Sequence, residues 1–108
     1  MPFTPELADR MRIAFLGRTD IAEKKMFGGY CWMLNGNMLC GVEDGRYMFR
    51  VGKELEAKAL QRKGASPMDI TGKPMRGFVW VQGDVAKAAT LKSWIALAET
   101  YVATLPTK

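Results

Sequence analysis

The sequence contains no histidine, and this absence removes several kinds of catalytic chemistry. Histidine is the commonest general base, the commonest zinc ligand and the usual partner that activates a serine or cysteine nucleophile. Hydrolytic triads are therefore excluded. An active site would need aspartate, glutamate, lysine or cysteine alone, and no two carboxylates stand at a spacing that indicates such a site. We expect that the chain is not an enzyme.

Cysteines and long apolar segments are also scarce. Two cysteines without a CxxC spacing and without histidine cannot form the usual four-ligand zinc site, so we expect no metal and no other cofactor. No apolar run approaches the ~20 residues that a membrane-spanning helix needs. The sequence therefore predicts a cytoplasmic protein without a membrane partner.

Repeats, low-complexity tracts and linkers are absent, and the composition is that of an ordinary globular domain. The chain has 108 residues, of which 48% are hydrophobic, and disordered chains fall well below that fraction. A chain of this length can bury a core without disulfides or metals. We predict a single domain that spans residues 1–108.

Positive charge is concentrated in the middle of the chain. The formal net charge is +5, and residues 46–76 carry eight basic and three acidic side chains, so the remainder is neutral. This segment could attract an acidic protein surface or a phosphate backbone, with Arg62 and Lys63 as a basic patch. A solvated helix face with loops explains the same charges. We prefer the solvated face because a dedicated nucleic-acid binder usually adds exposed aromatic residues or a known motif.

Helical patterns occur at both ends and in the middle of the sequence. Thr4-Pro5-Glu6 combines a hydroxyl N-cap, a proline at the first helical position and an acid at the positive end of the helix dipole. Apolar residues at steps of three and four recur in the middle and at the C-terminus. We predict helices over residues 5–16 and 53–63, a loop over 66–76, a strand over 78–82, and further helical structure, in one piece or two, from residue 83 to residue 106.

Two hairpin turns organise the first half of the sequence. Asn35-Gly36 and Asp44-Gly45 are residue pairs that type I′ turns favour, since both central residues of such a turn need positive φ. They predict a meander of three strands, of which the first is kinked or bulged at Gly28-Gly29. The strands are predicted over Lys24–Leu34, Asn37–Glu43 and Arg46–Val51.

Turns of two residues fix the register of these strands by counting. In the first hairpin Leu34 should face Asn37, which places Cys31 opposite Cys40, and in the second Glu43 should face Arg46. Alternation then divides the sheet into two faces. The predicted core face carries Cys31, Met33, Met38, Cys40, Val42, Tyr47, Phe49 and Val51. The predicted outer face carries Trp32, Leu34, Asn37, Leu39, Glu43, Arg46, Met48 and Arg50.

Meandering strands and separate helices define the expected fold class. Strands joined by hairpins form an antiparallel sheet, on which the helices must bury their apolar stripes. We therefore predict an α+β domain of two layers, with an antiparallel sheet of four to five strands and the helices packed on one face. The fifth strand would lie near Met75.

The outer face of the predicted sheet holds the main candidate binding site. Trp32, Leu39 and Met48 would form an apolar patch with Arg50 at its edge, and tryptophan with arginine is a combination that interface hot spots favour. Alternatively, Tyr30 and the predicted loop would cover this patch.

Two further pairs of residues are each open to two interpretations. Cys31 and Cys40 could form a disulfide if they lie opposite each other, but we prefer two buried thiols in a reducing cytoplasm. Gly28-Gly29 could cradle an anion with successive backbone N–H groups, but we prefer a bulge in the first strand.

The stretch KKMFGGYCWMLNGNMLCGVEDGRYMFRVGKE opens with the run Lys25-Met26-Phe27-Gly28-Gly29 and contains the turn glycines Gly36 and Gly45. Together with Trp94 near the C-terminus, these residues give the sequence a pattern that resembles the TfoX N-terminal domain family over nearly the whole chain. Arg50 stands where that family usually has a lysine.

The resemblance implies a bacterial, cytoplasmic regulatory domain associated with natural competence, with a fold similar to secretion-chaperone-like domains and without catalytic activity. The longer regulators of the family carry a second, C-terminal helical domain, and we expect this chain to act as a stand-alone N-terminal domain. Its function would be that of an adaptor that binds a protein partner, possible partners including a second copy of itself. The alternative is binding of nucleic acid or phosphate through residues 46–76.

Overall fold

The computed structural model describes residues 4–26, 29–43, 45–70 and 73–107, and these residues form an α+β fold of six strands and three helices. The predicted fold class is confirmed, and the sheet has one strand more than the upper limit of the prediction. In chain order the elements are α1 (Thr4–Ala14), β1 (Ile21–Met26), β2 (Gly29–Leu34), β3 (Asn37–Glu43), β4 (Arg46–Arg50), α2 (Lys53–Leu60), β5 (Ala65–Ile70), β6 (Lys73–Gln82) and α3 (Ala88–Val102).

The six strands form one open antiparallel sheet in the order β1-β2-β3-β4-β6-β5. Helices α1 and α3 contact β3 and β4 in the middle of the sheet, and α2 contacts β5 and β6. Buried side chains of all three helices belong to the same apolar core as one face of the sheet. Each helix therefore buries its apolar stripe on that face, as the sequence predicted.

The predicted first strand over Lys24–Leu34 is in fact two strands. Met26 lies opposite Gly29, so the chain reverses between them and β1 pairs with β2 along its whole length. Phe27 and Gly28 of this reversal lie outside the described residues. Gly29 must be glycine, because a Cβ atom there would lie 2.0 Å from the carbonyl oxygen of Val42 on β3. Gly29 is thus the first residue of a new strand and not a bulge within one strand.

The predicted loop over residues 66–76 is also wrong, because β5 and the beginning of β6 occupy it. The prediction missed these strands because they contain Pro67 and Pro74, and proline has no N–H group to donate a hydrogen bond to a neighbouring strand. Strand β5 is at the edge of the sheet, where a proline is tolerated, and Pro74 is the second residue of β6. The strand predicted over residues 78–82 is the second half of β6.

A register shift in the first hairpin changes which residues face the core. Leu34 faces Asn37 and Met33 faces Met38 as predicted, but Trp32 then faces Cys40, so Leu39 is an extra residue on β3. Such a bulge places two residues of one strand opposite one residue of its neighbour and reverses the alternation beyond it. The predicted pairing of Cys31 with Cys40 is therefore wrong.

The second hairpin has the predicted register. Glu43 faces Arg46, and the pairing continues to Cys40 opposite Phe49. Asn35 and Gly36 of the first hairpin have φ values of 53° and 81°, which a type I′ turn requires. Gly45 of the second turn also has positive φ, and its neighbour Asp44 lies outside the described residues.

The apolar core lies between the sheet and the helices. Phe49 stacks on Trp94 of α3, with 5.4 Å between the ring centroids. The Tyr47 hydroxyl donates a hydrogen bond of 3.2 Å to the carbonyl oxygen of Leu7 on α1, and burial raises the pKa of Tyr47 to about 12. In the described parts of the chain, no helix is long and apolar enough to cross a membrane.

The helices agree with the predicted ones in position but are shorter. Helix α1 ends at Ala14 and not at residue 16, and α2 ends at Leu60 and not at residue 63. The C-terminal helix is one piece that begins at Ala88, because residues 83–87 form turns before it.

Candidate functional site

The face of the sheet away from the helices carries a second apolar cluster. Met48 of β4, Met68 of β5 and Trp80 of β6 form this cluster, and each of these side chains is at most 7% exposed. The half-buried side chains of Met38 and Phe78 pack against it. We call this surface the outer face, and we use the name for these five residues together with Arg46, Cys31 and Met33, which share their side of the sheet.

Arg46 extends the outer face with a positive charge. Its guanidinium lies 3.7 Å from the centroid of the Trp80 ring, as a cation–π pair. The Nε atom of Arg46 is buried and has no hydrogen-bond partner in the described part of the chain. Glu43 faces Arg46 across the hairpin, yet the two side chains form no ion pair among those found in the described residues. Arg46 therefore keeps donor capacity next to the apolar cluster.

The two cysteines lie on opposite faces of the sheet. Cys40 is fully buried in the helix-side core, where its thiol lies 3.8 Å from the sulfur of Met11. Cys31 faces Gly41 on the outer face, where its sulfur and the methyl group of Met48 approach the Gly41 backbone. Burial raises the pKa of both thiols, and that of Cys40 well above the usual value. Both thiols are free, and this placement rules out the disulfide.

The four residues predicted as one patch do not lie together. Trp32, 2% exposed, and Leu39, 0% exposed, belong to the helix-side core, because the bulge at Leu39 reverses the alternation on which the prediction rested. Met48 is on the outer face as predicted. Arg50 lies at the end of β4, where its guanidinium is 5.6 Å from the centroid of the Phe78 ring.

The other predicted face assignments change for the same reason. Leu34 belongs to the helix-side core, and Asn37 is buried there, with its side-chain amide donating 2.9 Å to the carbonyl oxygen of Pro106. Met33 and Met38 move in the opposite direction, from the predicted core face to the outer face. Beyond the bulge, the residues of β3 and β4 lie on the faces that were predicted for them.

A cleft of about 720 Å³ opens where β4 and β6 meet the start of α2 and the end of α3. We call it the end cleft. Its lining brings together three basic side chains, one carboxylate and two aromatic rings. These are Arg50, Lys53, Arg76, Glu54, Phe78 and Tyr101.

Arg50 lies inside the end cleft between the two aromatic rings. Its guanidinium is 5.6 Å from the Phe78 centroid and 5.7 Å from the Tyr101 centroid. The guanidinium forms no hydrogen bond or ion pair among those found in the described residues. Both rings contact the guanidinium as cation–π partners, and its N–H groups stay available to an acceptor.

Two glycines with positive φ form the floor of the end cleft. The backbone N–H groups of Val51 and Gly52 both donate to the carbonyl oxygen of Gly77, at 2.8 and 3.0 Å. A Cβ atom on Gly52 would lie 2.5 Å from the Tyr101 ring. Glu56 accepts hydrogen bonds from Arg76 Nε at 2.9 Å and from the Gly77 N–H at 3.1 Å, and these bonds lower the pKa of its carboxyl group. The closely packed glycines thus fix the shape of the cleft.

The basic residues of the segment 46–76 are distributed over both sides of the sheet. Arg46 lies on the outer face, whereas Arg62 lies on the helix side, 4.8 Å from the centroid of the Trp94 ring and 3.0 Å from the Ser93 hydroxyl. Lys63 is exposed next to it. Binding of nucleic acid through Arg62 and Lys63 stays a prediction.

The family run includes the end of β1 and the first residue of β2. Lys25 is exposed and lies opposite Tyr30, and Met26 ends β1 opposite Gly29. Of the rest of this run, Phe27 and Gly28 lie outside the described residues. Elsewhere in the described ranges, no three cysteine, aspartate or glutamate side chains form a group that could hold a metal ion.

Sequence reasoning placed Met48 and Arg46 on the outer face, but it missed Met68 and Trp80 there and Tyr101 in the end cleft. The alternation of Phe78 and Trp80 with Val79 was visible, but not the pairing of β6 with β4 that brings Trp80 beside Met48. The contact between Arg50 and Tyr101 joins residues far apart in the chain, and no local pattern indicates it.

The chain is a small α+β domain with an open antiparallel sheet and helices on one face. Its apolar outer face and its cation-lined cleft are surfaces suited to binding. Residues 14–101 match the family model described as the TfoX N-terminal domain. Because the match covers most of the chain, the chain belongs to the TfoX N-terminal domain family. The resemblance seen in the sequence is confirmed, and membership supports a role as a regulatory domain of that family. No match to the chain was found among curated proteins or solved structures.

Proposed function

We propose that the chain is a non-enzymatic regulatory domain that acts by binding a protein partner through its outer face. The setting of this role would be that of the family, the regulation of natural competence in the bacterial cytoplasm. The observation that carries the proposal is the cluster of Met48, Met68 and Trp80 on the helix-free side of the sheet, with the Arg46 guanidinium over the indole ring.

The composition of the outer face suits a binding surface. Methionine side chains are flexible and polarisable, so they adapt to different apolar partners. Tryptophan and arginine are the residues that most often dominate the energy of protein interfaces. Trp80 and Arg46 form such a pair in contact, beside three methionines. Since Met48, Met68 and Trp80 are already at most 7% exposed, a partner on this face would contact the half-buried side chains packed on them, Met38, Phe78 and Arg46.

The charges around the outer face favour an acidic partner. Lys24, Arg46 and Arg50 lie on this side of the sheet or at its end, and Glu43 is an acidic side chain on the same side. Two copies of the chain that met through this face would bring these cations together, which opposes self-association there. We therefore expect a partner segment that combines apolar side chains with carboxylates, such as an amphipathic helix with an acidic edge.

The first experiment separates self-association from binding of another protein. Light scattering on a size-exclusion column, at low and at high salt, should give the mass of a monomer. A dimer that persists in wild type and disappears in Met38→Lys would show that the outer face binds a second copy, and it would overturn the choice of an acidic partner. Met38 suits this test because it is half-buried at the margin of the cluster.

The second experiment identifies the partner chemistry directly. A displayed library of helical peptides is selected against the domain, and the affinities of the enriched peptides are measured by fluorescence anisotropy. We expect acidic, amphipathic sequences that bind Arg46→Gln at least about fivefold more weakly than wild type. Lys92→Gln is the matched control, since Lys92 is exposed on α3, on the other side of the sheet. Peptides without acidic residues, or equal affinities for the two variants, would contradict the proposal.

A further inference from the structure

We infer that the end cleft binds a small phosphorylated ligand, and that Arg50 and Lys53 contact its phosphate group. This site differs from the outer face on which the proposed function rests, although Arg50 and Phe78 lie between the two. The inference stands on the size of the cleft, the charges that line it and the state of the Arg50 guanidinium.

The size and charge of the end cleft fit a small anion. A volume of about 720 Å³ is within the range of roughly 300–1,000 Å³ that is usual for small-molecule sites. Arg50, Lys53 and Arg76 line it, against the single carboxylate of Glu54. Arg76 is the one of these cations that already has an anionic partner, Glu56. Two cations of the cleft are thus left without a carboxylate among the described residues.

Arg50 is the group best placed to bind a phosphate. The rings of Phe78 and Tyr101 flank its guanidinium, so part of the side-chain entropy is already lost before a ligand arrives. The planar guanidinium presents its N–H groups in pairs, which match two phosphate oxygens. Because these N–H groups have no described acceptor in the protein, a bound phosphate would replace water and would not have to break an existing ion pair.

The backbone around Lys53 adds to this arrangement. Helix α2 begins at the cleft wall, and its N-cap residue Gly52 offers no side-chain acceptor to the first turn. The N–H groups at the start of a helix have no partner within the helix and carry partial positive charge. Lys53 and Glu54, the first two residues of α2, both line the cleft. A phosphate near Lys53 would therefore meet both its ammonium group and these N–H groups.

The two aromatic rings favour an organic phosphate over the free ion. Phe78 and Tyr101 are half-exposed and line the cleft together with Arg50, so a planar group attached to the phosphate could contact their edges. A nucleoside monophosphate has this combination of a phosphate with a planar ring. Free inorganic phosphate shares the anionic chemistry and lacks the ring, and a comparison of the two distinguishes the sources.

The test is an isothermal titration with AMP and, separately, with inorganic phosphate, followed by amide chemical shifts. We expect saturable binding of AMP, with shifts at Gly52, Lys53 and Gly77. Arg50→Gln should weaken binding by about tenfold or more, because one charge-assisted contact is lost. Lys53→Gln should weaken it about threefold or more. Lys58→Gln is the matched control on the same helix, since Lys58 is exposed and does not line the cleft, and it should stay within about twofold of wild type.

The possible results support or overturn the inference. Tighter binding of AMP than of phosphate supports an organic phosphate, and equal binding of the two supports the free ion at the same site. Lys53 keeps the test valid even if Arg50→Gln perturbs folding, because Lys53 is exposed. Absence of saturable binding up to about 10 mM, or equal affinities for Lys53→Gln and Lys58→Gln, would overturn the inference. The inference would also be overturned if a single-stranded oligonucleotide bound more tightly than AMP and its binding depended on Arg62 and Lys63 and not on Arg50.

Discussion

Gly52→Ala should be among the most damaging single-methyl additions in this chain. Gly52 has φ 84° and ψ 157°, a backbone conformation that is essentially restricted to glycine. Holding another residue in such a conformation costs of order 1–3 kcal/mol. The added methyl group would also lie 2.5 Å from the Tyr101 ring, and forcing such an overlap typically costs a further ~1–3 kcal/mol. We therefore expect the free energy of unfolding to fall by about 2–6 kcal/mol, a large part of the stability of a small domain.

The two contributions can be separated by two further variants. Gly17 also has positive φ, 83°, but nothing lies within 4 Å of the position of its Cβ atom, so Gly17→Ala should cost only the backbone part, about 1–2 kcal/mol. Tyr101→Ala removes the ring that the new methyl group would strike. In that background Gly52→Ala should cost only about 1–3 kcal/mol, as a double-mutant cycle would show.

The assay is urea unfolding followed by the fluorescence of the buried tryptophans. If Gly52→Ala does not fold at all, recovery of folding in the Tyr101→Ala background would still demonstrate the overlap. The reasoning would be refuted if Gly52→Ala were no more costly than Gly17→Ala, or if its cost were the same with and without the Tyr101 ring. Either result would mean that the floor of the end cleft is not closely packed.

Three other predictions concern the core, the helix side and the edge of the sheet. Cys40→Ser places a hydroxyl in the apolar core and should lower the free energy of unfolding by about 1–3 kcal/mol, whereas Cys31→Ser, on the outer face, should cost less than Cys40→Ser in the same urea titration. Arg62→Gln loses a cation–π contact and should cost about 0.5–2 kcal/mol, with Lys63→Gln unchanged within about 0.5 kcal/mol as its control. Hydrogen bonds from Arg12 of α1 lower the pKa of Glu23 in the folded state. The stability that they provide is therefore present above the unfolded pKa of Glu23 and is lost as the pH falls through its folded pKa. Melting temperatures measured from pH 6 to pH 3 should therefore fall more steeply for wild type than for Glu23→Gln, and parallel curves would contradict this.

The architecture followed from the sequence wherever local patterns determine it. The turn at Asn35-Gly36 and the register of the second hairpin depend on residues adjacent in the chain, and the prediction from them was correct. The helix start at Thr4-Pro5-Glu6 is a local pattern as well, and α1 begins at Thr4. Patterns of this kind need no knowledge of the neighbouring strands.

Prolines and glycines were the residues that local patterns misjudged. Pro67 is tolerated because β5 lies at the edge of the sheet, and Pro74 because it is the second residue of β6, and neither position can be read from the local pattern. Gly29 indicates either a bulge or a chain reversal until the partner strand is known. Here the partner is Val42, whose carbonyl oxygen occupies the space that a side chain at residue 29 would need.

The candidate binding site depended on one residue whose role could not be read from the sequence. Counting from the Asn35-Gly36 turn assigns Trp32 to the outer face, and the count is correct as far as Met33 opposite Met38. The next residue of β3, Leu39, is a bulge, and from there Trp32 turns into the core. No hydrophobic pattern distinguishes the two registers, because Trp32 and Cys31 are both apolar and either could be buried.

A tryptophan and an arginine do meet on the outer face, but the tryptophan is Trp80 of β6 and not Trp32. With Trp32 in the core, the outer face has a small residue, Gly41, between Cys31 and Met48. A larger side chain there would press on the Met48 methyl group and the Cys31 sulfur, both 3.4 Å from the position of its Cβ atom. The absence of a side chain at Gly41 thus leaves room for the Met48 methyl group, while Trp80 of β6 contacts the Arg46 guanidinium. Met48 and Arg46 lie on the outer face as predicted, because no bulge interrupts the alternation of β4. The predicted tryptophan, Trp32, lies in the core because the bulge shifts the register of β2, and the tryptophan of the outer face is Trp80 of β6.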